Sequence, residues 1–122
     1  MRQFFDGTSA LWQAEELANK PATGFTGSWE EHGGQESTIL SLHNTLCHWG
    51  AIILPSGYLN YEVAAGAGGN PYGISQGEAR ATTDPEYATA VQVAARNQGK
   101  RLAQLAAQVA TLAPAPAGQA GN

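Results

Sequence analysis

Ala22-Thr23-Gly24-Phe25-Thr26 and, one helix-length later, Ala51-Ile52-Ile53-Leu54 are the two runs whose reading decides the fold. The first is a short run of small and β-favouring residues, and it follows Pro21, which forces extended backbone. The second is a continuous apolar run too short for a helix, the pattern of a parallel strand buried on both faces. Between them Ile39, Leu42, Leu46 and Trp49 recur at i, i+3, i+7 and i+10, one apolar stripe on a helix from about Gln35 to His48, which Gly50 closes. Strand, helix and strand make a βαβ unit. Its crossover is right-handed almost without exception, so residues 22–54 specify one edge of a parallel α/β sheet.

Toward the amino terminus, Met1, Phe4 and Phe5 mark a helical stub that Gly7-Thr8-Ser9 breaks, and Leu11, Trp12 and Leu17 lie on a short helical connection ending near Asn19-Lys20. Beyond Pro55-Ser56-Gly57-Tyr58, a stretch to about Thr83 is rich in Gly and Ala and weak in periodicity. It reads as a long loop, functional or mobile. Asp84-Pro85-Glu86 is a helix start, with Asp as N-cap and Pro at the first helical position. From there Tyr87, Val91, Ala95, Leu102, Leu105, Val109 and Leu112 mark one face of a helix of about 28 residues, roughly 40 Å long. Gly99 in its middle is either a break or a close packing point. Residues 113–122, rich in Pro, Ala and Gly, are expected to form a disordered tail, which leaves residues 1–112 as the folded unit.

The 122 residues carry 6 Lys+Arg against 10 Asp+Glu, a net charge of −4, with the basic residues scattered. That distribution argues against nucleic acid, which requires clustered positive surface. One cysteine forms no intramolecular disulfide, so a reducing compartment, the cytoplasm, is expected. No apolar run reaches the length of a signal peptide or a membrane span, so neither export nor an integral membrane segment is expected. Charged residues make up 13% of the chain, against about 25% in an average soluble domain. Such a surface suits a partner subunit or further chain.

His43 and Cys47, four apart on one helix, could share a face as metal ligands, but a structural zinc site needs four ligands. His32 and His48 stand at no recognisable spacing from them, so no metal site is expected. Cys47 and His48 are adjacent on a helix and point in different directions, which removes a nucleophile–base pair and leaves Cys47 as an expected buried thiol. Gly66-Ala67-Gly68-Gly69-Asn70-Pro71 fails as a dinucleotide fingerprint, because Pro71 stands where the third glycine belongs. No catalytic side chain is therefore assigned, and a cofactor has to carry any chemistry. Ligands of open parallel sheets bind beyond the carboxyl ends of the strands. There the chain offers the Thr26–Gly33 loop, whose small residues expose backbone N–H groups beside Trp29, and the turn ending in Tyr58. His48 falls at the far end of the intervening helix, near the amino end of the next strand.

Gly33-Gly-Gln-Glu-Ser-Thr-Ile-Leu40, Thr45-Leu-Cys-His-Trp-Gly50, Pro55-Ser-Gly-Tyr58 and Gly69-Asn-Pro-Tyr-Gly73 occur in that order, with Met1-Arg2 and Leu11-Trp12 before them. This set resembles the WrbA-type NAD(P)H:quinone oxidoreductases, flavodoxin-like FMN proteins, and the resemblance extends to the last helix. It implies a parallel sheet with flanking helices, FMN at the carboxyl ends of the strands, and two-electron transfer from NAD(P)H through the flavin to a quinone. It also implies a homo-oligomer, a tetramer with composite sites. In the resemblance Thr26, Gly27, Ser28, Trp29, Glu30, Glu31, His32 and Gly33 match the segment that wraps the isoalloxazine with main-chain amides, and His48 matches a histidine at the flavin. Trp12 matches the aromatic residue on which substrate stacks, and Tyr58 a residue reaching a neighbouring subunit's site.

The family's phosphate-binding loop and its second flavin loop both precede anything matched here, and Met1 aligns with an internal helix residue. The resemblance therefore covers the carboxyl-terminal part of a flavodoxin-like domain, strands four and five with their helices. Strand four is then an unpaired apolar edge, low solubility is expected, and activity from this chain alone is not. Other readings are a non-catalytic flavodoxin-like remnant that serves as an oligomerisation or interaction module, and a free-standing small α/β fold that closes its sheet through dimers. Where the family loop is mostly Ser, Thr and Gly, Trp29-Glu30-Glu31-His32 is bulkier and acidic. A carboxylate at ~6 Å from the ring, in an effective dielectric of ~20, disfavours an anionic hydroquinone by roughly 2–3 kcal/mol and lowers the flavin potential; one facing solvent does not.

Overall fold

The computed structural model describes residues 2–112, so the expected tail at 113–122 lies outside the described residues. Helices α1 (Arg2–Asp6) and α2 (Ser9–Gln13) open the chain. The helical connection expected to reach Asn19 stops at Gln13, because Glu15 and Asn19 take positive φ angles of 57° and 59° that no helix accommodates. Pro21 then starts an extended segment in two pieces, β1 (Pro21–Ala22) and β2 (Phe25–Ser28). The expected strand at 22–26 is thus longer, and Thr26, Gly27 and Ser28 belong to it rather than to the following loop. Helix α3 (Gln35–His48) returns the chain to β3 (Ile52–Ile53), which pairs parallel with β1 in the register Pro21↔Ile52, Ala22↔Ile53. The βαβ unit read from residues 22–54 is present.

The stretch read as a loop holds three further elements: α4 (Tyr61–Gly66), β4 (Ile74–Gly77) and α5 (Glu78–Thr83). Strand β4 pairs parallel with β2, from Phe25↔Ile74 to Ser28↔Gly77. β3 and β4 therefore lie against successive halves of one extended segment. The chain leaves the sheet after Leu54, whose N–H donates to the Ala22 carbonyl at 2.8 Å, and rejoins it at Ile74, whose N–H donates to the Gly24 carbonyl at 3.2 Å. Two bonds close the neck of this excursion: Ser56 Oγ donates to the Asn70 carbonyl at 2.8 Å, and the Gly57 N–H to the Pro71 carbonyl at 2.9 Å. Gly73 must be glycine, since a Cβ there would collide with the Gly24 carbonyl oxygen and stand 3.0 Å from Ile39 Cδ1.

Helix α6 (Pro85–Val109, 25 residues) starts as expected: Asp84 Oδ1 accepts the Tyr87 N–H at 3.0 Å and Pro85 occupies the first turn. It runs unbroken through Gly99, where an added Cβ would meet nothing, so that glycine is neither a break nor a packing point. A Cβ on Gly24 would touch Ile39 and Leu42 of α3, whereas Thr23 Oγ1 accepts a hydrogen bond from Gln98 Nε2 of α6 at 2.8 Å. Neighbouring residues of an extended chain face opposite ways, so the two helices cover opposite faces of the strands. The result is an incomplete flavodoxin-like α/β arrangement of parallel strands between helices.

The core is small: Ile39 and Leu46 from α3, Tyr87 and Val91 from α6. Ile52 and Ile53 are half-buried rather than buried on both faces, because β3 pairs with β1 alone and sits at an edge. On its other side the β1–β2 segment pairs with no strand among the described residues, and Phe25 is 82% exposed, the open apolar edge anticipated for strand four. Cys47 is exposed, not buried. It follows Leu46 by about 100° around α3 and so leaves the apolar stripe.

Candidate functional site

Parallel pairing brings the carboxyl ends of β2 and β4 side by side, and Ser28 sits opposite Gly77 where both strands stop. From Ser28 the chain turns through Trp29–Gly34 into α3; from Gly77 it enters α5. Ser28 Oγ donates to the Glu30 carbonyl, the Gly33 N–H donates to the same carbonyl at 3.2 Å, and Gly34 takes φ +84° to admit the helix. At the base of the turn Gln35, 5% exposed, donates from Nε2 to Ser28 Oγ and to the Gln76 carbonyl, both at 2.9 Å. One side chain thereby ties turn, helix and β4 together.

The tip of the turn leans on α5 and α6. The Ala79 N–H donates to the Trp29 carbonyl at 2.9 Å, and Arg80 Nη1 donates to Glu31 Oε1 at 2.7 Å. Arg80 also reaches Asp84 Oδ2 through Nε at 3.2 Å and lies 4.4 Å from the centroid of the Tyr87 ring. The Tyr87 hydroxyl in turn accepts the Gly77 N–H at 2.8 Å in a buried position. The Tyr87 amide, and after it Arg80, hold the Asp84 carboxyl below its ordinary range. Glu31 therefore meets a guanidinium instead of facing a ligand unpaired; both carboxylates of the turn are exposed, and Glu30 has no salt bridge among the described residues.

Turn and excursion enclose a cleft of about 480 Å³, lined among others by Glu31, His32, Gln35, Tyr58, Tyr61 and Arg80. Its size is that of a small-molecule pocket. Arg80 is the one Lys or Arg among the described lining residues, and both its carboxylate partners are already in place. The lining therefore offers no unpaired Lys or Arg to a phosphate monoester, while Tyr58 and Tyr61 give it aromatic surface suited to a flavin ring.

Trp12 and His48 occupy a different cleft, of about 360 Å³, with Phe5, Asp6 and Trp49. Trp12 Nε1 donates to the His48 carbonyl at 2.8 Å, and Phe5 packs edge-on against Trp49 with ring centroids 5.5 Å apart. Helix α3 separates the two clefts by about 20 Å at 1.5 Å per residue, and His48 lies at the amino end of β3 as topology required. Glu31, His32 and Tyr58 are thus brought together; Trp12 and His48 form a second group; Trp29 and Glu30 are exposed. No cluster of three or more His, Cys, Asp or Glu able to hold a metal exists among the described residues. Gln35, Arg80 and Tyr87 were missed. Gln35 stands in the motif segment that begins at Gly33-Gly34, and Tyr87 on the apolar face of the last helix, so the sequence marks the position of both but not their bonds; Arg80 carries no sequence signal.

No protein-family model matches the chain. A protein of Geotalea uraniireducens (strain Rf4) named NAD(P)H dehydrogenase (quinone) is 43% identical over 121 residues, covering 90% of this chain and 55% of the relative. Proteins of the same name from Geotalea daltonii and Deinococcus radiodurans are 44% and 45% identical, the first over 87% of this chain and 53% of the relative, the second over 62% and 37%. The chain is similar to one part of each of these proteins. It spans about half the length of the two Geotalea relatives, which agrees with a sheet of few strands and with the partial resemblance to the WrbA-type family. No helix among the described residues is long and apolar enough to cross a membrane.

Proposed function

We propose that this chain supplies the ring-facing part of an FMN site used for two-electron transfer from NAD(P)H to a quinone. The observation that carries the reading is the cleft at the paired carboxyl ends of β2 and β4, where the family-matched turn and Tyr58 meet. When bound, FMN would supply hydride acceptance and two-electron donation, chemistry that no side chain here provides. Thr26, Gly27 and Ser28 fix the strand end, and Trp29, Glu30, Glu31, His32 and Gly33 present the turn's backbone to the ring. Gln35 holds that turn in one conformation, which removes an ordering cost from ligand binding. Trp12 and His48, in the second cleft, serve a ring held by another copy, so the working form is a homo-oligomer, a tetramer as in the resemblance, and a cytoplasmic one. The phosphate is bound by residues other than those lining this cleft.

The test is flavin titration of the purified chain, by quenching of flavin fluorescence, with FMN and riboflavin side by side. Binding of both with affinities within about twofold supports a ring-only site. A tenfold preference for FMN contradicts the assignment of the phosphate elsewhere, and binding of neither refutes the flavin reading. In that last case the open edge at Phe25 and the exposed Trp29 favour the interaction-module reading, which light scattering of the purified chain would test through its association.

A further inference from the structure

We propose that Arg80 is a positioning residue that latches the Trp29–Gly34 turn to the corner between α5 and α6. Its guanidinium meets three groups on two elements at once: Glu31 in the turn at 2.7 Å, and, on α6, its N-cap Asp84 at 3.2 Å and the face of Tyr87 at 4.4 Å. Two of these partners are fixed independently of it. Asp84 is held by the Tyr87 amide at 3.0 Å, and Tyr87 is 4% exposed and bonded through its hydroxyl to Gly77 at the end of β4. The frame on the α6 side is rigid, so what the arginine restrains is the turn. Only a planar fork stacks on an aromatic ring while its Nε and Nη1 engage two carboxylates, and a lysine reaches Glu31 as a point charge alone. Backbone of turn and corner is already in contact there: Ala79 donates to the Trp29 carbonyl, and a Cβ on Gly77 would stand 3.0 Å from Glu31 Cγ. The same contact draws the Glu31 charge toward the corner. The latch thus sets both the shape and the charge of the turn that lines the cleft.

Amide hydrogen exchange of the ligand-free chain tests this, with the Ala79 N–H as reporter and the Val91 N–H as a control in the core. Arg80 and Glu31 are 40% and 44% exposed, so the pair is a surface one and its loss is modest. Arg80→Gln and Glu31→Gln should each speed exchange at Ala79 by roughly two- to fivefold and leave Val91 unchanged. Both changes together should add nothing further, and Arg80→Lys should recover only part of the protection. Unchanged exchange at Ala79 in the single variants, an additive double variant, or an equal rise at Val91 would overturn the latch. Glu31→Gln removes the charge from the contact without touching Asp84 or Tyr87, so a poorly folding Arg80 variant does not decide the matter. The effect on a ligand rests on the flavin reading above. Because exchange is measured without ligand, the latch and that reading can fail separately.

Discussion

Replacing Gln35 by alanine should destabilise the fold by about 2–3 kcal/mol. The side chain is 5% exposed and places its two N–H bonds on Ser28 Oγ and the Gln76 carbonyl, each at 2.9 Å, with the Glu30 carbonyl a distant third acceptor at 3.4 Å. Two neutral hydrogen bonds contribute about 1 kcal/mol each, and leaving the Gln76 carbonyl short of a donor costs about another 1 kcal/mol. Water entering from the neighbouring cleft recovers part of that, which sets the lower figure. Urea unfolding followed by far-ultraviolet circular dichroism reads the loss. With a slope of about 1.5 kcal/mol per molar, ordinary for a small domain, the midpoint should fall by roughly 1.3–2 M with the slope unchanged. Gln35→Glu keeps the shape but removes both donors and turns a carboxylate toward the Gln76 carbonyl, so it should cost at least as much at pH 7. A fall under about 0.5 M for the alanine variant, or an unperturbed Gln35→Glu, would show that the turn is held some other way.

Three further outcomes follow from the geometry. Gly73→Ala forces its methyl into the Gly24 carbonyl and toward Ile39, so a loss of about 2 kcal/mol or more, seen as a Tm lower by roughly 8 °C, is expected from thermal unfolding. Gly99→Ala meets open space inside α6 and should stabilise by about 0.5–1 kcal/mol, raising the urea midpoint. His43 Nε2 is buried without a hydrogen-bond partner among the described residues, and burial lowers the pKa of the ring below its ordinary value. The unfolded chain then binds that proton more readily than the native one. Its contribution is present above the ordinary histidine pKa of about 6.5 and is lost as pH falls through the ordinary and then the lowered value. His43→Gln should flatten this part of the stability profile between about pH 7 and 5, and a profile of unchanged slope would contradict it.

What could be read from the sequence divides by the kind of residue that carries each element. Strands 22–26 and 51–54 and the helix between them were legible because Ile39, Leu42 and Leu46 alternate with polar neighbours at helical spacing and Ile52-Ile53 is apolar throughout. Strand β4 was not, since Ser75 and Gly77 are its buried residues and Ile74 only half so. A strand that turns small side chains inward, under a helix packed close at Gly73, leaves no hydrophobic alternation to detect. The cap of α6 was visible in Asp84-Pro85, whereas its exact end was not, helix termini being set by packing as much as by propensity. At the site, the turn was located from its composition and family likeness, and the remoteness of His48 from the direction of α3. The Arg80–Glu31 pair joins residues far apart in sequence, and nothing local announces it.

The excursion between Leu54 and Ile74 leaves and re-enters the sheet against Ala22 and Gly24, two residues apart on one extended segment, with Ser56, Gly57 and Asn70 fastening its mouth. Strand pairing on either side is consequently indifferent to how many residues the detour contains. A segment inserted that way works as an exchangeable cassette: its length, its helix and the tyrosines it carries to the cleft can all be rewritten while the register of β3 and β4 stays where it is.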